Sequence, residues 1–448
     1  MKKIFISALA FLVCNIANAQ LVVYSNLNQQ GTSATCATQT IYVGADVPNG
    51  LNDGIKSMTL SKGYMATLAA NEDGSGEGFC YVASVSNLTV NLATVLQNKV
   101  SFIRVLPITD VKKKGGGLQD NVLATNMNVN WLYDWGPNDV SILNREYVPM
   151  AWGAGGASDA NISTYIAKTG ITSFLAFNEP DNVGQSNVNF NTAVPLYKKL
   201  LRTGYRMGSP ATTENQYRFW LKNFTDVADA DTVRIDFVAV HWYDWGNWSA
   251  TPNPNPDVNA LFNRFKNYIT AVYALYGKPI WITEFNANPN RVSATHEAFM
   301  ALALPWLETD PRVERYAYFF PTSVPALSGG VLTPVGTIYK NHVSTSANPT
   351  NIVDKRAGAT TAIDENYDAS FMVYPSVSTG NKIEVVFKNV SDSAQIKIFN
   401  MTGQLISTRN LKTGASSETI DIAHFTEGSY LLMLQDKGRS QSRKFVKQ

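Results

Sequence analysis

Two glutamates stand at the ends of apolar runs, in Phe177-Asn178-Glu179-Pro180-Asp181 and in Trp281-Ile282-Thr283-Glu284-Phe285, 105 residues apart. A carboxylate ending an apolar strand is costly unless water, a partner or a function holds it. Pro180 stops the first run at once and leaves Glu179 at a rim. Two such acids on either side of a ligand can open an acetal: one protonates the leaving oxygen, while the other attacks the anomeric carbon or activates water. Asn178, preceding the first acid, is placed to hydrogen-bond the sugar 2-hydroxyl. For Glu179 to stay protonated near neutrality its pKa must rise, which the charge of Glu284 and partial burial would supply.

A third cluster ends another apolar run, Val240-His241-Trp242-Tyr243-Asp244-Trp245. Tyr243 is placed to hold the second acid ionised through a hydrogen bond. His241 either lines the ligand cleft or is a satisfied core histidine. All nine tryptophans fall between Trp131 and Trp306. Trp135, Trp152 and Trp245 sit at run ends, where an indole face can stack on the C–H face of a sugar; Trp131, Trp220, Trp281 and Trp306 read as core. Other chemistries lack their parts. His296-Glu297 has no second histidine of a zincin helix, and there is neither a Gly-x-Ser-x-Gly elbow nor a phosphate-cradling Gly-Lys-Ser/Thr loop.

Positioning two acids so far apart in sequence requires strands that converge. Seven apolar runs alternate with helical stretches: 129–135, 147–152, 172–178, 205–211, 236–243, 279–285 and 315–320. Continuous apolar runs are what a parallel sheet buried on both faces demands. The pattern predicts a (β/α)₈ TIM barrel over 129–343, with the active site at the C-terminal ends of its strands. One strand is missing from the count. It is expected as a short or irregular third strand between Trp152 and Thr172.

The flanks differ in character. Residues 1–19 read as an export signal, with Lys2, Lys3, an apolar run and Ala17-Asn18-Ala19. Residues 20–107 are short alternating strands in two similar halves. Lys112-Lys113-Lys114-Gly115-Gly116-Gly117 reads as a solvated hinge within a linker, 108–128. A second linker, 344–368, leads to a C-terminal β-sandwich, 369–448. The chain has 448 residues with 37 Lys+Arg and 35 Asp+Glu. Without Lys2 and Lys3 the charges balance, which excludes the basic excess of nucleic-acid binders and of membrane-surface proteins. No later apolar run is long enough to span a membrane. Four histidines and three cysteines exclude a rich zinc or iron–sulfur chemistry. Outside the leader only Cys36 and Cys80 remain, and in an exported chain they are expected to form a disulfide.

Three resemblances follow. Residues 129–342 resemble glycoside hydrolase family 128 in Trp131-Leu132-Tyr133-Asp134-Trp135-Gly136-Pro137, Tyr147-Val148-Pro149-Met150-Ala151-Trp152-Gly153, Phe177-Asn178-Glu179-Pro180-Asp181, Gly208-Ser209-Pro210-Ala211, the segment Asp236–Asp244, Trp281-Ile282-Thr283-Glu284-Phe285 and Arg315-Tyr316-Ala317-Tyr318-Phe319. The resemblance implies a retaining hydrolase of β-1,3-glucan (laminarin-type) with Glu179 as acid/base and Glu284 as nucleophile; endo action and no required cofactor are expected beside it. A non-catalytic β-glucan-binding protein, or a hydrolase of the same fold acting on another β-glycan, remains open beside it. Residues 20–107 resemble a βγ-crystallin domain in Gly63-Tyr64-Met65-Ala66-Thr67-Leu68 and Asn98-Lys99-Val100-Ser101, which implies a pair of Greek-key motifs forming one β-sandwich. Many members of that family bind calcium. Here Lys56 stands where a hydroxyl ligand belongs and Phe102 replaces a final serine, which favours a structural module over a calcium site. Residues 369–448 resemble the type IX secretion sorting domain in Tyr374-Pro375, the segment Ile398–Gln404, Gly428-Ser429-Tyr430-Leu431-Leu432 and Lys444-Phe445-Val446-Lys447, departing at Pro375-Ser376-Val377. That implies export across the outer membrane, with the secretion machinery as partner, and a secreted or surface-bound protein; separately, the chain is expected to act on β-glucan as a monomer.

Overall fold

The computed structural model describes residues 20–117, 125–137, 145–361, 370–388, 390–391, 394–401, 404–412, 416–436 and 439–448. The expected leader and Cys14 lie outside these, as do residues 118–124 of the expected first linker. The chain divides into two compact units, Met1–Thr361 and Ala362–Gln448. No helix among the described residues is long and apolar enough to cross a membrane.

At the centre of the first unit, parallel pairing runs from Lys114–Gly117 to Trp131–Tyr133 and on to Glu146–Tyr147. It continues through a Met150–Leu175 bridge to Ser173–Phe174, which pairs with Arg206–Met207. Gly208–Phe237 and Thr212–Val240 bridges lead to Val238–Trp242, then Ile280–Phe285, then Val313–Tyr318. That last strand pairs back onto Lys114–Gly117, so the pairing returns to its start through eight segments. Helices Asp159–Ala167, Phe190–Leu200, Trp220–Ala230, Val258–Tyr276 and Ser293–Thr309 lie between successive strands from the third onward, and Pro334–Asn341 follows the eighth. Alternation divides each strand: Ile280 and Ile282 join the layer beneath the helices, while Trp281 points inward with Trp131, Tyr133 and Phe237.

This corrects the expected place of the inconspicuous strand. No strand lies between Trp152 and Thr172; a short 3₁₀ turn and a helix fill that stretch. The strand absent from the apolar pattern is the first, Lys114–Gly117, inside the segment read as a solvated hinge. Its glycines make room: a Cβ on Gly115 would sit 2.0 Å from the Trp131 indole. Its lysines are buried caps rather than solvated charges. Lys113 Nζ donates to the carbonyls of Leu307 and Asp310 at 3.1 and 3.0 Å, closing helix Ser293–Thr309. Lys114 Nζ donates to Tyr339, Lys340 and His342 at 2.8, 3.1 and 2.7 Å, closing helix Pro334–Asn341.

Residues 21–107 form two antiparallel sheets. Leu21–Tyr24, Ser33–Cys36 and Ser57–Leu60 of the first half share a sheet with Leu88–Asn91 of the second. Tyr64–Ala69, Gly78–Ala83 and Phe102–Pro107 share the other with Ile41–Val43 of the first. The third strand of each half therefore crosses to the sheet of the other. Nor is 344–368 a free linker over its described part: Ile352 bridges to Val82, and Thr360–Thr361 adds a strand beside Leu88–Asn91.

The expected disulfide is absent, because Cys36 and Cys80 are separate buried thiols. Along Gly78–Ala83, Tyr81 and Ala83 face the sandwich interior with Cys36, whereas Cys80 and Val82 face the other way, against the apolar layer beneath the helices. Burial pushes the Cys36 thiol up to about 12 and Cys80 to about 11.

The sandwich is docked by a buried arginine. Arg104 donates to the carbonyls of Thr203 and Ile166, the latter at 2.9 Å, and lies 4.7 Å over the Tyr205 ring. Thr67 Oγ1 donates to the Gly204 carbonyl at 2.8 Å. Gly204 is left-handed at φ 63°, and a Cβ there would meet that of Arg104 at 2.8 Å.

The second unit holds a three-stranded and a five-stranded sheet, the larger one ordered Val377–Ser378, Arg439–Lys447, Gly428–Asp436, Gln395–Asn400, Leu405–Asn410. Ile383, Val385, Ile396, Leu432 and Phe445 belong to its core.

Candidate active site

Glu179, Glu284 and His241 meet at the C-terminal ends of strands four, seven and six. Nδ1 of His241 lies 3.0 Å from Oε1 of Glu179, and its Nε2 lies 3.6 Å from Oε1 of Glu284. One fully buried imidazole thus spans the two acids. Glu284 is gripped by aromatic donors, Trp135 Nε1 at 2.9 Å and the Tyr243 hydroxyl on its other oxygen, while the Tyr133 hydroxyl lies 3.4 Å away with the Thr283 carbonyl as its nearer acceptor at 3.0 Å. Asn182 Nδ2 donates to Glu179 Oε2 at 3.2 Å.

Local backbone aims these groups. Glu179 and Trp135 are both left-handed, at φ 39° and 59°, a conformation of order 1–3 kcal/mol that persists only where the surroundings over-determine it. The Glu179 amide is held by the Ala211 carbonyl at 2.7 Å. Tyr147 fixes the Trp135 turn by donating to Asp134 and to the Gly136 carbonyl at 2.6 and 2.7 Å.

The electrostatics differ from the expected raised Glu179. Burial pushes its carboxyl up, but the hydrogen bond and charge of His241 and the Asn182 amide outweigh burial, so Glu179 lies below the ordinary carboxylate value. Burial opposes charge on His241 too, and Glu284 and Glu179 outweigh it, raising the imidazole. The two shifts run in opposite directions, Glu179 down and His241 up, as expected of a carboxylate and an imidazole in contact. Tyr243 and Tyr133 are pushed well up by burial and then by Glu284, so both remain donors.

The remaining candidates fall on the same rim. Asn178 donates to Gln185 at 3.3 Å, while its buried Oδ1 accepts from no protein donor among the described residues. Trp152 and Trp245 are each 41% exposed on the loops after strands three and six. Trp242, in contrast, is buried against Phe265 and Phe299. Three groups escaped sequence reasoning: Tyr133, Asn182 and Glu214, whose Oε2 accepts the amides of Tyr243 and Trp245 at 3.1 and 2.9 Å. Inspecting strand five for a terminal carboxylate, as for strands four and seven, would have found it. No group of three or more His, Cys, Asp or Glu side chains able to hold a metal ion occurs among the described residues.

Paired acids at the ends of a ring of parallel strands are the arrangement that glycosidic cleavage needs. Residues 112–339 match the family described as "Glycosyl hydrolase catalytic core", and the chain belongs to that family. Residues 372–448 match the "Secretion system C-terminal sorting domain", and the protein is exported through type IX secretion to the cell surface or beyond. Alkali-sensitive linkage protein 1 of Schizosaccharomyces pombe is 31% identical over 258 residues, 52% of this chain and 43% of that relative, so the chain spans less than half its length. Among solved structures, a family 128 subgroup I endo-β-1,3-glucanase from Amycolatopsis mediterranei with laminarihexaose is 27% identical, covering 52% of this chain and all of that one, with TM-score 0.46. A subgroup III curdlan-specific exo-β-1,3-glucanase from Blastomyces gilchristii with glucose is 32% identical, covering 51% and 97%, with TM-score 0.43.

Proposed function

We propose that the enzyme hydrolyses β-1,3-glucan with retention, in endo fashion, in a cleft at the C-terminal ends of a (β/α)₈ barrel. The observation that carries the reading is His241 between Glu179 and Glu284, with Trp135 on the nucleophile and Trp152 and Trp245 on the rim. The motifs shared with family 128 supply the substrate class.

Glu284, ionised and held by Trp135 and Tyr243, attacks the anomeric carbon as the bond to the leaving oxygen breaks. Glu179 gives that oxygen a proton. The pair His241–Glu179 stores this proton, on the imidazole while Glu284 is anionic. As Glu284 passes its charge into the glycosyl ester, the imidazolium loses its nearest support, and the proton moves toward Glu179 and the leaving group. Glu179, now a carboxylate, takes a proton from water, whose hydroxide attacks the anomeric carbon and frees Glu284. Asn178 Oδ1 accepts the sugar 2-hydroxyl, a bond that tightens in the oxocarbenium-like transition state. The chemistry runs on side chains alone.

The exchange of third strands between halves supports a βγ-crystallin-like reading of the N-terminal sandwich. Its use of Arg104 and Thr67 for docking supports a structural rather than a calcium-sensing role.

Reducing-sugar release from laminarin, curdlan, β-1,4-glucan and mannan tests the substrate class. Wild type should cut the first two, with a mixed oligosaccharide ladder and a β-anomer as first product. Glu179→Gln and Glu284→Gln should each lose at least about 10³-fold. Near-normal turnover in either variant would sink the assignment.

A further inference from the structure

The strand ends that carry the site are laced together by side chains that grip neighbouring backbone. Asp181, two residues past Glu179, accepts the Thr213 amide at 3.0 Å and its hydroxyl. The next residue, Glu214, gathers the amides of Tyr243 and Trp245 onto a single oxygen. From the other side Asn288 Nδ2 donates to the Tyr243 carbonyl at 2.9 Å, and the Asn288 carbonyl accepts from His296 at 3.0 Å. Tyr243 is therefore held at both its N–H and its C=O, by the loops after strands five and seven.

The two amides on Glu214 belong to residues with different tasks. Tyr243 delivers its hydroxyl to Glu284; Trp245 presents a half-exposed ring. Between them Asp244 is left-handed at φ 53°, with its carboxylate turned into ion pairs with Arg264 and Arg291 at 2.7 and 2.8 Å. A left-handed aspartate is a strained turn that needs outside anchors. With Asp244 committed inward, the two flanking amides need an acceptor, and a carboxylate supplies a charge-assisted one.

We propose that Glu214 is a positioning residue that sets the Tyr243 hydroxyl on the nucleophile and the Trp245 platform on the glycan in one stroke. The inference rests on the reading of Glu284 as nucleophile and of Trp245 as a sugar contact. It separates Glu214 from a merely stabilising carboxylate, because loss should move kcat and KM together.

Hydrogen exchange and kinetics on Glu214→Ala and Glu214→Gln test it. In Glu214→Ala the amides of Tyr243 and Trp245 should exchange at least about tenfold faster, with distant amides unchanged. On laminarin, kcat/KM should fall about 10²-fold, as a displacement near 1 Å does, through both lower kcat and higher KM. Tyr243→Phe should lower mainly kcat and Trp245→Ala should raise mainly KM. Combining Glu214→Ala with Tyr243→Phe should be less than additive in kcat. Glu214→Gln, which keeps an acceptor oxygen, should recover most of the loss. Unchanged exchange in Glu214→Ala, or faster exchange with unchanged kinetics, would overturn the proposal. Exchange is read without substrate, so a wild type that cleaves no glucan would count against the functional assignment and leave the grip of Glu214 on its amides separately measured.

Discussion

Nδ1 of His241 lies 3.0 Å from Oε1 of Glu179, which makes the acid and its histidine one proton-holding pair. The imidazole is raised above its ordinary 6.5, with burial opposed and outweighed by Glu284 and then Glu179. If Glu179 protonates the leaving oxygen as proposed, the pair needs its proton, and it loses that proton as pH rises through the raised value. The alkaline limb of kcat/KM should therefore lie above pH 6.5. In His241→Gln the limb should move toward acid and the plateau should drop about 10²-fold. An alkaline limb that stays in place in the variant would show that Glu179 keeps its proton unaided.

Removing single donors from Glu284 gives a graded series. Trp135 Nε1 at 2.9 Å and the Tyr243 hydroxyl serve different oxygens, with Tyr133 more distant at 3.4 Å. A hydrogen bond to a charged group contributes about 1.5–3 kcal/mol, so Tyr243→Phe should cost roughly 10–10² in kcat. Tyr133→Phe should cost less, its bond being long. Equal effects of Tyr133→Phe and Tyr243→Phe in steady-state assays would contradict this ranking.

The parts legible in the sequence were those that packing makes periodic or chemistry makes expensive. Strands two to eight stand out because both faces are buried, and Glu179 and Glu284 because acids rarely end such runs. Strand one was illegible for a physical reason: its inner face is occupied by the Trp131 indole, so Gly115 supplies no apolar side chain. Its lysines read as solvated because their acceptors, helix-end carbonyls about 190 to 230 residues onward, have no sequence signature. The cysteines misled for a related reason. Pairing by compartment ignores strand alternation, which turns Cys36 and Cys80 toward different cores. Composition alone could not place the Glu179 proton, because its location depends on how close His241 comes.

His296 gives a pH-dependent stability distinct from catalysis. A carbonyl can only accept, so its Nε2 donates to Asn288 at 3.0 Å and its Nδ1 accepts the Tyr318 hydroxyl at 2.6 Å. Burial pushes this imidazole down to about 4 from 6.5. A depressed base contributes fully above its unfolded value and loses that contribution as pH falls toward the folded one. Between pH 6.5 and about 4 this site should therefore cost the fold about 3 kcal/mol. His296→Gln can repeat both hydrogen bonds without titrating, so its denaturation profile should be flatter across that window. Parallel profiles for wild type and variant would refute the assignment.

Arg104 makes the N-terminal sandwich part of the catalytic unit rather than an appendage. Its guanidinium supplies donors to the carbonyls of Thr203 and Ile166 from across the junction. Met65, Val82 and Leu106 of the sandwich join the same apolar layer as Phe174 and Tyr205. Arg104→Met keeps most of the apolar volume but leaves those carbonyls without donors, which should cost about 2–4 kcal/mol. Because the apolar layer is continuous, residues 20–361 should melt in one calorimetric transition that Arg104→Met lowers as a whole. Two resolved transitions, or a midpoint unchanged by the substitution, would mean that the sandwich and the ring fold independently. Deleting residues 20–107 would then leave a soluble, active enzyme, whereas a shared core predicts an insoluble one, because the face that packs against Met65 and Leu106 would be stripped bare.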